Sequence, residues 1–92
     1  MSPKKKWFFY VLSCSDQTLY TGVTTDVQRR VLEHNQKKGA KYTRGRVPVS
    51  LLYSREMKNR STAQKLESAF KKLSREKKFK RLTEMVDEDL GF

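Results

Sequence analysis

Cysteine and histidine occur once each in this 92-residue chain. A lone Cys14 excludes an internal disulfide, and with only His34 to join it no Cys/His cluster can hold a structural zinc. Acid is also scarce, with 10 Asp and Glu against 21 Lys and Arg, a formal net charge of +11. Long apolar runs are missing. Lys4-Lys5-Lys6 and the apolar stretch 7–12 imitate the start of a signal peptide, but the run stops at Ser13 and no small-residue cleavage site follows. The simplest expectations are a cytoplasmic compartment and no membrane partner. An aromatic fraction of 11% is too rich for a disordered basic tail, so a packed core is expected. The length fits one domain over residues 1–92, with a basic lead-in at 1–6 and an acidic end at 84–92.

The charge is unevenly placed. Every Lys and Arg lies at or before Arg81, while Glu84, Asp87, Glu88 and Asp89 close the chain. Residues 1–83 hold 21 basic against 6 acidic residues, a net +15. A field of that sign draws in polyanions, and nucleic acid is the commonest such partner.

The apolar pattern sets the order of elements. Residues 7–12 are apolar throughout, aromatic and branched, which suits a strand covered on both faces and hence a central one. Turn formers at 13–17 lead to a second strand at 18–23, so the two should pair as an antiparallel hairpin. Thr25 and Gln28 read as a capping box for a first helix with Val27, Val31 and Leu32 on its buried stripe, ended by a left-handed Gly39. Residues 39–48 read as a basic loop and 49–54 as a third strand. Ser61 and Gln64 read as a second capping box, with Ala63, Leu66, Phe70 and Leu73 at helical spacing. A last helical stripe runs through Phe79, Leu82 and Val86 towards Leu90. The order is ββαβαα, an α+β domain.

Three polar features stand out. Arg30 and His34, four apart, share one face of the first helix. Glu67 falls at the margin of an apolar stripe, where a carboxylate is partly desolvated unless a cation such as Lys71, at i+4, meets it. Tyr10 and Tyr20 lie on strands that must run side by side. Singly, each has an ordinary structural explanation; together they could form a site.

Here a resemblance is specific. Phe9-Tyr10-Val11, a gap of eight residues, and Tyr20-Thr21-Gly22 resemble the paired motif of the GIY-YIG nuclease superfamily, with Phe9 in place of the first glycine. Arg30 stands ten residues after Tyr20, at the position of the family's helix arginine, and His34 one turn on. Glu67 matches the metal-binding glutamate, and residues 7–78 are similar to small stand-alone bacterial members. The asparagine that larger members carry after that glutamate has no counterpart at 71–81.

The resemblance implies a small three-stranded antiparallel sheet flanked by helices. It also implies phosphodiester hydrolysis with one divalent metal, Mg²⁺ or Mn²⁺, held by Glu67 through oxygen. Tyr20 would activate the attacking water, with His34 as a proton partner, since a phenol with a pKa near 10 needs help as a base. Arg30 would stabilise charge on the non-bridging oxygens, Tyr10 would position Tyr20 or the water, and Gly22 would let backbone approach closely.

Binding falls to Lys41, Arg44 and Arg46 of the basic loop, extended by Lys71, Lys72 and Arg75 along the second helix. Tyr42 could stack on an exposed base. Nothing resembles a sequence-reading helix, so base specificity is not expected. The expected partner is nucleic acid, with DNA ahead of RNA, and a protein partner would supply specificity. The alternatives to an endonuclease are an inactive nucleic-acid-binding module and an accessory subunit of a repair or recombination complex.

Overall fold

The computed structural model describes residues 5–91, so Met1, Ser2, Pro3 and Lys4 of the lead-in and Phe92 of the acidic end lie outside the described residues. Its elements are β1 (Trp7–Ser13), β2 (Leu19–Thr24), α1 (Val27–Asn35), α2 (Lys41–Arg44), β3 (Ser50–Met57), α3 (Arg60–Lys71) and α4 (Arg75–Asp89). The strands form one antiparallel sheet in the order β2-β1-β3, so β1 is central, as its unbroken apolar run predicts. Tyr10 stands opposite Gly22, and Leu12 opposite Tyr20.

Side-chain alternation along β1 divides the interior in two. Phe9 and Val11 join Tyr53, Phe70, Leu82 and Met85 on the side covered by α3 and α4. Tyr10 and Leu12 join Cys14 and Val49, with Tyr20 and Val31 packed against them, on the side of α1. The β1–β3 register shifts between Val11 and Leu12, leaving Leu52 as an extra residue between Leu51 and Tyr53.

Several local expectations need correction. The first helix is capped by Asp26, whose carboxylate accepts from the Arg29 backbone N–H at 3.0 Å, and not by Thr25 with Gln28. The box on α3 is Asn59 with Thr62, two residues ahead of Ser61 and Gln64, each side chain accepting from the other's backbone N–H. β3 continues to Met57, past the expected end at residue 54, so α3 must begin almost at once. Lys37, with φ of 62°, takes the left-handed conformation expected of Gly39. Leu32 is 57% exposed and no part of the buried stripe of α1. The expected loop 39–48 contains the single turn of α2.

The stripe of α4 is out of phase with the expectation. Leu82 and Met85 are buried, whereas Phe79, Val86 and Leu90 are exposed. Phe79 and Val86 rim an apolar hollow of about 280 Å³ between β3 and α4, which no candidate residue lines. The acids of the chain end hold α4 in this phase. Tyr53 donates to Asp89 at 2.6 Å, and Arg55 donates to Asp89 at 2.8 Å and to Glu88 at 3.2 Å. These carboxylates are thus tied to β3 and to Arg81, which donates to Glu88 at 2.9 Å. Among the described residues no helix is long and apolar enough to cross a membrane.

Candidate active site

Tyr10 and His34 are the buried centre of the site, at 1% and 0% exposure. Tyr10 Oη lies 2.9 Å from His34 Nε2, and His34 Nδ1 lies 2.8 Å from Thr43 Oγ1. Thr43, also wholly buried, donates its hydroxyl to the Ala40 carbonyl at 2.9 Å. β1, α1 and α2 therefore each contribute one member of a hydrogen-bonded line.

Two glycines make the line possible by having no side chain. A Cβ on Gly22 would sit 2.5 Å from Tyr10 Oη, and one on Gly39 would overlap the imidazole of His34. Close approach, rather than a left-handed turn, is what requires glycine at residue 39.

The other candidates surround this line. Tyr20 packs its ring edge-on to His34, with centroids 5.0 Å apart, and lies 6.4 Å from the Tyr10 ring. Arg30 pairs with Glu33 at 3.2 Å, and its charge bears on the nearby Tyr10. Burial opposes the Arg30 cation, but these two partners outweigh it and raise its pKa. Glu67, half-buried on α3, pairs with Lys71 at 3.6 Å.

Burial pushes the Tyr10 phenol up to about 12. A hydrogen bond and the charge of Arg30 favour its ionised form, while the charges of Tyr20 and Glu67 oppose it. Of the other four candidates, His34 bonds Tyr10 and Tyr20 packs near its ring, whereas Arg30 and Glu67 bear on it through their charge. Burial, then the nearby Arg30 charge, lowers the His34 pKa, with Glu33 opposing. The ring is therefore a neutral imidazole at physiological pH.

One contact differs from what the resemblance implies. The tyrosine bonded to His34 is Tyr10, not Tyr20, because Tyr10 lies opposite Gly22 and its ring passes across the gap that glycine leaves. Tyr20 instead faces a groove of about 330 Å³ lined by Leu19, Tyr20, Thr21, Tyr42, Lys71 and Lys78. An adjoining hollow of about 170 Å³ adds Thr18 and Arg75. Lys71 belongs both to this groove and to the Glu67 ion pair, which connects the carboxylate to the Tyr20 side of the site.

The expected nucleic-acid residues divide. Lys71 lines the groove and Arg75 the adjoining hollow, whereas Lys41, Arg44 and Lys72 are exposed and line neither. Arg46 is engaged within the fold. It pairs with Asp16 at 2.9 Å, donates to the Tyr42 carbonyl at 2.8 Å and covers the Tyr42 ring at 4.0 Å. The Tyr42 ring also stacks on Tyr20 at 6.0 Å, is 40% exposed and lines both the groove and the adjoining hollow. Thr43 and Lys78 were not singled out from the sequence. A buried threonine in a basic loop has no periodic signal, and Lys78 lies on a helix whose phase was misread.

The described residues contain no group of three or more His, Cys, Asp or Glu side chains able to hold a metal ion. A single half-buried carboxylate nevertheless suits Mg²⁺ or Mn²⁺, hard cations that keep several waters and complete their shell with phosphate oxygens. Glu67 therefore fits one such ion, provided that Lys71 yields its contact.

The model of the GIY-YIG catalytic domain matches residues 6–81. The chain belongs to the GIY-YIG family. Within it, the chain is 55% identical over 71 residues to a UPF0213 protein of Natronomonas pharaonis, covering 77% of this chain and 84% of that one. The same identity and length relate it to a UPF0213 protein of Streptococcus agalactiae, covering 77% and 81%. The solution structure of a protein from E. faecalis matches with a TM-score of 0.60 and 43% identity, over 94% of this chain and 93% of that one. A UPF0213 protein of Bacillus halodurans matches with a TM-score of 0.57 and 42% identity, over 85% and 83%. The two halves of the GIY-YIG motif are thus the central strand β1 and its edge partner β2.

Proposed function

We propose that this protein is a metal-dependent endonuclease that hydrolyses phosphodiester bonds, with DNA the expected substrate. The observation that carries this reading is the 2.9 Å hydrogen bond between Tyr10 and the buried His34, with the Arg30 charge nearby. A phenol whose pKa is about 12 is no base by itself at neutral pH. With an imidazole lone pair behind it, it can take a proton from water as it gives its own away. The imidazolium so formed would be closed off from solvent until product leaves.

Arg30 would stabilise negative charge developing on a phosphoryl group near Tyr10, a role supported by its charge bearing on that phenol. Glu67 would hold the divalent ion, whose chemistry is to stabilise the leaving oxygen and the phosphoryl charge. Tyr20 borders the groove beside the relay, where its hydroxyl could orient the water or the scissile phosphate. Lys71, Arg75 and Lys78 would track the backbone of the bound strand.

The test is cleavage of duplex, single-stranded, branched and nicked DNA with Mg²⁺, Mn²⁺ or EDTA, by the wild type and by Glu67→Ala and Tyr10→Phe. Metal-dependent cleavage by the wild type and its loss in both variants is the expected result. Salt-sensitive binding without cleavage of any substrate would instead make this a nucleic-acid-binding module.

A further inference from the structure

We propose that Thr43 is a positioning residue that sets the tautomer of His34 and so makes Tyr10 a proton donor towards the protein interior. The consequence for catalysis rests on the hydrolytic reading above; the tautomer itself does not.

The argument is a count of protons. The Thr43 hydroxyl has one hydrogen and sits 2.9 Å from the Ala40 carbonyl, which can only accept. That contact commits the hydrogen, on a carbonyl that also accepts from the Thr43 backbone N–H at 3.1 Å. The remaining contact of the hydroxyl oxygen, 2.8 Å to His34 Nδ1, then needs its proton from the ring. A neutral imidazole protonated at Nδ1 has a bare lone pair at Nε2. Nε2 lies 2.9 Å from Tyr10 Oη, so the phenol must donate. Every proton along the line Tyr10, His34, Thr43 and Ala40 is then assigned.

Reversing the tautomer means that Thr43 must abandon the Ala40 carbonyl to donate to Nδ1, and Tyr10 must turn its hydrogen away from the ring. Water has no place between His34 and Thr43, because both side chains are wholly buried. Gly39 holds the loop against the imidazole face, which keeps α2 and Thr43 in reach.

The direction matters for the reaction. With the phenol hydrogen pointed at Nε2, the free lone pairs of Tyr10 Oη are available to accept from a water molecule. When that water gives a proton to Oη, the original phenol proton passes to Nε2. The products are hydroxide, a neutral phenol and an imidazolium that still donates through Nδ1 to Thr43. In the opposite tautomer Nε2 already carries a hydrogen and can take nothing from Tyr10.

The experiment exploits the single histidine of the chain. The full-length protein, ¹⁵N-labelled at histidine, is examined by long-range ¹H–¹⁵N correlation near pH 7.5, so every imidazole signal comes from His34. The wild type is expected to carry its proton on Nδ1. Thr43→Val, which keeps the shape and removes the hydroxyl, is expected to move the population towards the Nε2-protonated form, and Thr43→Ser to restore it. If the wild type cleaves DNA, Thr43→Val should lower kcat at least about tenfold with KM little changed, and Thr43→Ser should recover most of it.

A wild-type ring protonated at Nε2 would overturn the proposal without any variant. So would a folded Thr43→Val protein with the wild-type tautomer. Should Thr43→Val fail to fold, the wild-type spectrum and Thr43→Ser still decide. Absence of cleavage by the wild type counts against the hydrolytic reading alone, since the spectrum is read without substrate.

Discussion

Gly22 lies directly across from Tyr10, so close that a methyl group on its α-carbon would stand 2.5 Å from the phenol oxygen and 2.6 Å from the ring carbon that bears it. The ring cannot retreat easily, since it is 1% exposed and bonded to His34. Gly22→Ala should therefore break the Tyr10–His34 hydrogen bond and cost about 1–3 kcal/mol through overpacking. Chemical denaturation measures the stability. Cleavage should fall further than the loss of folded protein accounts for, and a variant of normal stability and activity would contradict this geometry.

Tyr10→Phe removes one hydroxyl and leaves His34 Nε2 buried without a partner. The expected destabilisation is about 1–3 kcal/mol, the cost of an unsatisfied buried acceptor. Tyr20→Phe should cost less, because Tyr20 is only half-buried. Comparing the two denaturation midpoints checks the order.

The pH dependence of stability should report His34. Burial and the Arg30 charge lower its folded pKa below the ordinary 6.5, so the unfolded chain takes up the proton first as pH falls. The stabilisation is complete above about pH 6.5 and is lost progressively below it, towards the depressed folded value. Asp16, Glu88 and Asp89 also have lowered pKa values, but from ordinary values of 3.8, 4.5 and 3.8, so their loss comes at lower pH. Melting temperatures measured between pH 8 and 5 should fall in the wild type and stay flatter in His34→Gln.

Glu67→Gln separates a metal-holding role from a structural one. The Lys71 pair is partly solvent-exposed at 3.6 Å, so its loss should change stability by less than about 1 kcal/mol. Metal-dependent cleavage should nevertheless disappear. Parallel thermal melts and cleavage assays in Mn²⁺ give the two readouts; an equal decline in both would reduce Glu67 to an ion-pair partner.

Lys78 lines both basic hollows without touching the Tyr10–His34 pair. Lys78→Gln should weaken oligonucleotide binding and reduce the slope of log K against log salt by about 1 if it meets one phosphate. Fluorescence anisotropy at several salt concentrations would show this, with Glu56→Gln, far along β3, as the unaffected comparison.

Phe70→Ala tests the other face of the sheet. Phe70 is buried against Phe9, ring centroids 5.5 Å apart, and truncation should cost about 3–5 kcal/mol. No candidate site residue belongs to that cluster, so any remaining folded fraction should keep its specific activity.

The order of elements and the central place of β1 were legible in the amino-acid order alone, because periodicities of 2 and 3.6 are local properties of the chain. Helix pitch put Arg30 and His34 on one face and hairpin pairing put Tyr10 one strand from Tyr20, whereas grouping these with Glu67 came from the family resemblance. The cap residues were misplaced by one or two positions at Asp26 and Asn59, where neighbouring Thr, Ser and Asn offer equivalent local chemistry. The phase of α4 depended on where Tyr53 and Arg55 meet its last turn, which no local pattern records. Tertiary structure alone bonded Tyr10 to His34, set Thr43 behind that ring, put Lys78 in the groove and tied Arg46 to Asp16. These outcomes turn on which side chains from separate elements come within 3 Å of one another. Hydrogen bonding is decided at that range, after the backbone has folded, by neighbours that may be far away along the chain.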